Sequence, residues 1–281
     1  MFARIGRSWR LVKASASVLK QDTELLLFPM ISMFALMLVV ASFALPVFGL
    51  GMLGDRMGED GLSAAMYVVA FLFYFSQYFV IFFFNSALVG AAMIRLEGGD
   101  PTFADGMRIA TSRIWAIAGY ALIAATVGMI LRAIQERVGF IGRIIVAIIG
   151  AGWTIATFMV VPVLVSRQVG PVDAIKESAG LLKKTWGENV IGQAGIGLAF
   201  AFIFFAVIVA GIVIVFAAFA SGSVAASLIA LVVVGLAIAT TALVQAALSG
   251  IYSAALYRYA TKGEGTPGFD NQALKLAFAP K

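Results

Sequence analysis

The stretch that decides the fold reads FFFNSALVGAAMIRLEGGDPTF and covers residues 82–103. It runs from a block of phenylalanines through one asparagine to an arginine, a glycine pair and a proline. Its apolar part extends an apolar run that is long enough for a membrane-spanning helix, which needs about 20 mostly apolar residues. Glycine ends a helix at little cost, and proline suits the first turn of the next helix. The stretch therefore predicts a helix that leaves the membrane and turns into a second helix.

A second stretch, LVQAALSGIYSAALYRYATKGEGTPGF at residues 243–269, repeats much of the first. The segment Asn85-Ser-Ala-Leu-Val-Gly90 is matched by Gln245-Ala-Ala-Leu-Ser-Gly250, and Arg95 is matched by Arg258. The first copy ends the second long apolar run of the chain, and the second copy ends the sixth. We therefore predict that the chain contains an internal repeat.

The predicted repeat has three units, each a short amphipathic surface helix followed by a membrane hairpin. An arginine, a glycine and a proline follow one another at each of the three exits: Arg95, Gly98 and Pro101; Arg167, Gly170 and Pro171; Arg258, Gly263 and Pro267. We place the units within one transmembrane domain over residues 1–281, at 1–98, 99–168 and 169–265, with an amphipathic C-terminal tail at 266–281.

The composition is that of an integral membrane protein. Hydrophobic residues make up 62% of the 281 positions and charged residues 12%, with a mean hydropathy of +1.02. Soluble domains are nearer one half apolar. We predict an all-α protein with six transmembrane helices, at about 25–53, 62–95, 112–131, 143–166, 189–219 and 224–258.

The orientation follows from the lysines and arginines, which concentrate in loops on the cytoplasmic side of bacterial membranes. Of the 20 such residues, four fall on the side opposite to the N-terminus: Arg56, Arg132, Arg137 and Arg143. We therefore predict that both termini are cytoplasmic.

The N-terminal run SWRLVKASASVLKQDTELLLFP carries a more specific pattern. Its distinctive positions are Ser8-Trp9, Val18-Leu19, Asp22, Glu24-Leu25-Leu26 and Phe28-Pro29. This pattern resembles the opening of an uncharacterised prokaryotic domain-of-unknown-function family of six-helix membrane proteins. The resemblance supports the six-helix topology and implies no particular activity. We predict a multi-pass protein of the bacterial inner membrane.

Most enzyme classes are disfavoured by the residues that the chain lacks. It has no histidine and no cysteine, which removes the commonest general base and the commonest ligands of zinc. No acidic residue falls in the middle of a predicted span, although aspartyl chemistry needs two carboxylates facing each other. We expect no enzyme activity, no catalytic residue, no metal, no cofactor and no nucleic-acid partner.

Four neutral amides are the polar groups to consider inside the spans: Asn85, Gln245, Gln77 and Gln193. Amides that bond across helices in a membrane contribute roughly 0.6–2 kcal/mol each, so a structural role is the favoured interpretation. The alternative is a channel or transporter for a neutral, lipidic or amphipathic solute, with Asn85 and Gln245 near its path.

The basic surface helices are the strongest functional indication. Lysine and arginine side chains gain about 1 kcal/mol each close to an anionic membrane surface. We expect contacts with lipid headgroups or a partner protein from Arg95, Arg167, Lys176, Lys183, Lys184 and Arg258. The leading hypothesis is a non-catalytic scaffold or accessory protein that organises anionic membrane lipids, or a partner that is a second copy or another membrane protein.

Overall fold

Six membrane-length helices dominate the structure. The computed structural model describes residues 13–49, 64–184 and 189–262. In this part of the chain the fold is all-helical and contains no strands. Six segments are long and apolar enough to cross a membrane: Thr23–Leu45, Tyr67–Leu96, Ile114–Arg137, Phe140–Ser166, Ala199–Ala220 and Val224–Lys262. The predicted six-helix membrane class is confirmed at this level.

The helices follow one another with short connections. They are α1 (13–21), a 3-10 turn (Thr23–Leu26), α2 (Leu27–Gly49), α3 (Ala64–Leu96), α4 (Phe103–Ser112), α5 (Ile114–Arg137), α6 (Phe140–Ala156), α7 (Val160–Ser166), α8 (Pro171–Lys184), α9 (Asn189–Ala220) and α10 (Val224–Lys262). Several predicted features lie outside the described residues, namely residues 1–12, Arg56, Gly263, Pro267 and the tail at 266–281. The threefold repeat and the interfacial role of α1, α4 and α8 stay predictions.

The third span extends beyond its predicted end. Helix α5 continues to Arg137 rather than stopping near residue 131, because polar residues take part in the helix. Arg132 and Glu136 form an ion pair one turn apart, with 3.0 Å between Nε and Oε1. Pairs at this spacing support an exposed helical turn without any apolar burial.

The fourth span is broken between α6 and α7. Pro162 causes the break, because it has no N–H and its ring collides with the carbonyl four residues earlier in a continuous helix. Ser178 of α8 satisfies two backbone groups at the break. Its hydroxyl donates to the Ala156 carbonyl at 2.7 Å and accepts from the Met159 N–H at 3.0 Å. A side chain on a short helix therefore holds the interrupted span.

The core lies at one end of the bundle, where α3 and α10 meet. A Cβ atom on Gly250 would lie 2.5 Å from Cδ2 of Leu88 and 3.4 Å from Oδ1 of Asn85. The two matching segments of the sequence, 85–90 and 245–250, therefore pack directly against each other. Small residues permit this approach of two backbones, as is common between membrane helices.

The short helices pack onto the same end. On α4, a Cβ atom at Gly106 would lie 2.7 Å from the Ala87 carbonyl oxygen of α3. A capping box formed by Thr102 and Asp105 starts α4, so the chain turns sharply after leaving α3. In α8, Ala174 is buried together with Ser178. The three exits of the chain thus surround one packed region.

Candidate functional site

The three exit arginines lie at the same end of the bundle, at the ends of α3, α7 and α10. Arg258 of α10 donates a hydrogen bond to the carbonyl of Leu96, the residue that follows Arg95. Arg167 follows α7 and lines a cavity together with Arg258. The separate exits in the sequence therefore converge on one charged region.

This region contains a cavity of about 430 Å³, which we call the end cavity. It is formed where α3, α7 and α10 end. Its polar lining comes from Glu97, Ser166, Arg167, Tyr257, Arg258 and Lys262, with Thr261 beside them and Met93 as an apolar wall. Three cations and one carboxylate face the same space, so the lining is net positive.

Two of these cations share the single carboxylate. The Oε1 atom of Glu97 lies 2.9 Å from Nζ of Lys262 and 3.9 Å from Nη1 of Arg258. The same Nη1 donates to the Leu96 carbonyl, while the Nε of Arg258 has no hydrogen-bond partner among the described residues. Arg258 is thus anchored by its backbone contact but only loosely neutralised.

Arg167 is tied to two neighbouring helices. Its hydrogen bond with Tyr257, together with the nearby charge of Glu177, holds the pKa of Arg167 above its ordinary value. The Nε atom lies 3.1 Å from Oε1 of Glu177 on α8. Arg167 therefore remains positively charged and links α8 to the end of α10.

Arg95 is not among the lining residues of the end cavity, and its partners differ from those of Arg167 and Arg258. Its Nε lies 3.5 Å from Oδ2 of Asp22, and its Nη2 lies 2.8 Å from Oδ1 of Asp100. It also donates to the carbonyls of Gly99 and Gln21. Burial raises the pKa of the Asp22 carboxyl, an effect that Arg95 opposes. This pair fastens the end of α1 to the end of α3.

Comparison with known proteins adds one relationship. Residues 64–269 match the family model of DUF6159, described as a family of unknown function. The chain belongs to DUF6159. No curated protein and no solved structure matches it. The predicted kinship with a domain-of-unknown-function family is confirmed, while the N-terminal pattern at 8–29 precedes the matched residues and stays a prediction.

The predicted amides of this DUF6159 protein lie apart from the end cavity. Asn85 is half-buried where α3 meets Gly250 of α10, and Gln245 is half-buried in the last part of α10. Gln77 is half-buried in the middle of α3, and the side chain of Gln193 lies outside the described part. Their role as interhelical contacts, or as the lining of a path, stays a prediction.

The predicted lysines of α8 also lie outside the end cavity. Lys176 and Lys183 are exposed, and Nζ of Lys176 is 3.7 Å from Oδ1 of Asp173. The side chain of Lys184 lies outside the described part. The DUF6159 chain therefore divides its basic residues between a surface set on α8 and a cavity set.

Sequence reasoning did not include several residues of the site: Asp22, Glu97, Tyr257 and Lys262. Glu97 and Lys262 lie within four residues of the exit arginines, so their position in the sequence could have indicated them. The contact of Asp22 with Arg95 joins residues more than 70 positions apart, and no local pattern indicates it.

Proposed function

We propose that this DUF6159 protein is a non-catalytic scaffold or accessory protein of the bacterial inner membrane, which organises anionic lipids at its cytoplasmic face. The observation that carries the proposal is the end cavity, where Arg167, Arg258 and Lys262 meet a single carboxylate. Positive groups at the end of membrane helices attract anionic headgroups. Both termini are proposed to lie on this cytoplasmic side, in accordance with the positive-inside rule.

The short helices support the proposal through their distribution of residues. On α8, Ala174, Ser178 and Leu182 are buried, whereas Lys176 and Lys183 are exposed. A helix with one packed side and a basic side is suited to the headgroup region of an anionic leaflet. We infer that α1, α4 and α8 form a collar at the membrane surface around the end cavity.

A non-catalytic role agrees with the chemistry of the charged groups. The chain has no histidine or cysteine. Glu97, Glu177 and Asp22 are each close to an arginine or lysine, so these carboxylates serve as partners of cations. Such groups hold charge in place, whereas a general base needs a free lone pair near a reacting proton.

The proposal is tested by the lipids that accompany the protein. The full chain is extracted in mild detergent, and the bound lipids are compared with those of the source membrane by mass spectrometry. We expect anionic glycerophospholipids to be enriched severalfold over zwitterionic ones, because each basic residue near the surface favours them by about fivefold. A bound fraction with the composition of the bulk membrane would overturn the proposal.

A second measurement separates a scaffold from a transporter. The protein is reconstituted in vesicles that carry a fluorescent lipid analogue in both leaflets, and dithionite reduces the label in the outer leaflet. A scaffold leaves the inner-leaflet label protected, as in protein-free vesicles. Loss of the protected fraction in proportion to the amount of protein would replace the scaffold with lipid transport, the alternative that the sequence left open.

A further inference from the structure

We propose that the end cavity holds the phosphodiester group of one anionic glycerophospholipid, with Glu97 as a built-in competitor for the same cations. This inference rests on the proposed function and names its ligand and its site. The cavity of about 430 Å³ is within the usual range for small-ligand sites, roughly 300–1,000 Å³. It is large enough for a phosphate with its glycerol.

The position of the cavity favours a lipid over a soluble anion. The fourth span ends at Ser166 and the sixth at Lys262, and both residues line the cavity. A group bound there would therefore lie at the level where the apolar part of the bundle ends. Met93 closes one side, and the hydroxyl of Ser166 donates to its sulfur at 3.0 Å. The phosphate would face the cations while its acyl chains continue along apolar helix surfaces.

The donors of the cavity suit a phosphate. An arginine carries five N–H donors in a planar fork that matches phosphate oxygens, and lysine adds a compact positive charge. Arg258 lines the cavity and uses Nη1 on the Leu96 carbonyl, while its Nε is buried. Arg167 spends donors on Glu177 and Tyr257 and keeps others free. Lys262 is about half exposed, so its charge can reach a ligand.

The carboxylate of Glu97 lies between Lys262 and Arg258, where the phosphate of a lipid would otherwise bind. Its carboxylate contacts Lys262 at 2.9 Å and lies 3.9 Å from Arg258. The Glu97 side chain is 54% exposed, so it can swing into water when another anion arrives. A bound phosphodiester would replace this carboxylate as the partner of Lys262. Removal of the Glu97 charge should therefore strengthen lipid binding, whereas removal of the Lys262 charge should weaken it.

The opposite signs of these two effects provide the test. Delipidated full-length protein is titrated with phosphatidylglycerol, or with phosphatidylcholine of the same acyl chains, and binding of the first lipid is measured by native mass spectrometry. We expect Lys262→Gln and Arg167→Gln each to weaken the first phosphatidylglycerol by about fivefold, and Glu97→Gln to tighten it by a similar factor. Lys262→Arg keeps the charge and should retain binding.

The matched control is Arg143→Gln, which removes one exposed positive charge near the start of the fourth span, at the opposite end of that span from Ser166 of the cavity. It should leave the first binding step unchanged. Equal weakening by Arg143→Gln and Lys262→Gln would overturn the site, because general surface charge would then explain binding. The same direction of change in Glu97→Gln and Lys262→Gln would also overturn it, since a merely structural role of the ion pair predicts that result.

Three further outcomes separate the possible failures. Glycerol 3-phosphate that binds as tightly as phosphatidylglycerol would overturn the lipid assignment in favour of a soluble phosphate. Persistent preference for phosphatidylglycerol that none of the cavity variants changes would overturn this site while leaving the proposed function intact. Equal binding of phosphatidylglycerol and phosphatidylcholine would overturn both proposals.

Discussion

The two parts of α10 have opposite surroundings although both are apolar. From Ala247 to Tyr257 almost every side chain is buried against the protein, including the large ring of Tyr252. In the earlier part most side chains are exposed, and Leu236 is 62% exposed. The exposed part is the more hydrophobic of the two, being rich in leucine, valine and isoleucine at residues 228–236. The packed part has the denser set of small residues, with alanine, glycine or serine at six of the eleven positions from 247 to 257.

A membrane environment explains this difference. Lipid tails are as apolar as leucine, so burying leucine against another helix gains little there. Close van der Waals contact between backbones provides the gain, and small residues make that contact possible. The packed end of α10 is therefore protein interior, and its exposed part is a surface suited to lipid.

The largest effect should come from filling the closest helix contact. We expect Gly250→Leu to destabilise the protein by about 1–3 kcal/mol, because the new side chain would overlap Leu88 and Asn85. Gly235→Leu in the exposed part of α10 meets nothing within 4 Å and should cause no loss. Thermal unfolding of both variants in detergent measures the difference. Equal melting temperatures would break the distinction between the two parts of α10.

The break in the fourth span extends the comparison to hydrogen bonds. We expect Ser178→Ala to cost about 1–3 kcal/mol, because the Met159 N–H loses its acceptor in a buried place. Ser42→Ala is the control, since that exposed hydroxyl donates only to Val39 in its own helix. The control should change stability by less than about 0.5 kcal/mol. Unfolding in detergent checks both, and a tolerant Ser178→Ala would show that the break needs no support from α8.

The amide at the α3–α10 contact should have a smaller effect. We expect Asn85→Leu to lower stability by about 1 kcal/mol, as for a polar contact between membrane helices. Thr240→Val in the exposed part of α10 is the control and should have little effect. Stability and solute leakage from reconstituted vesicles are measured together. Changed leakage with unchanged stability would contradict the structural role and favour a path past Asn85.

The smallest effect should be a pH dependence at Asp22. Burial raises the pKa of the Asp22 carboxyl above the ordinary value of 3.8. Ionisation of this carboxyl is therefore less favourable in the folded protein than in the unfolded chain. The stability contributed by this group is complete below that value and is lost as the pH rises through the raised pKa. Asp22→Asn should remove this slope, which begins at about pH 4, from the pH dependence of the apparent melting temperature. Parallel curves for the two proteins would contradict the expectation.

The sequence predicted the membrane class and the six spans because hydropathy is a local property. The two similar segments 85–90 and 245–250, which we interpret as copies of a repeat, lie in contact with each other, and the sequence did not predict that contact. The sequence placed the end of α5 too early, because hydropathy does not register the ion pair of Arg132 with Glu136.

The candidate site was less accessible to prediction. The sequence identified each of the three exit arginines. It could not show that Arg167 and Arg258 line the end cavity while Arg95 contacts Asp22, because these contacts join residues far apart in the chain. Arg95 meets Asp22 across the bundle, whereas Arg258 meets the end of α3. Ser178 gave no signal at all, because its role depends on a break that it does not adjoin in sequence.

The contact of Arg258 with the Leu96 carbonyl also has a consequence for biosynthesis. The partners are separated by 162 positions, so α3 is made long before the arginine that completes its last turn. Until then the Leu96 carbonyl needs water or a headgroup as a partner, whereas the carbonyls of Met93, Ile94 and Arg95 already accept from the N–H groups of residues 97–99. A nascent chain released from the ribosome before α10 would present an open charged end. Completion of the last span is thus the event that closes the bundle.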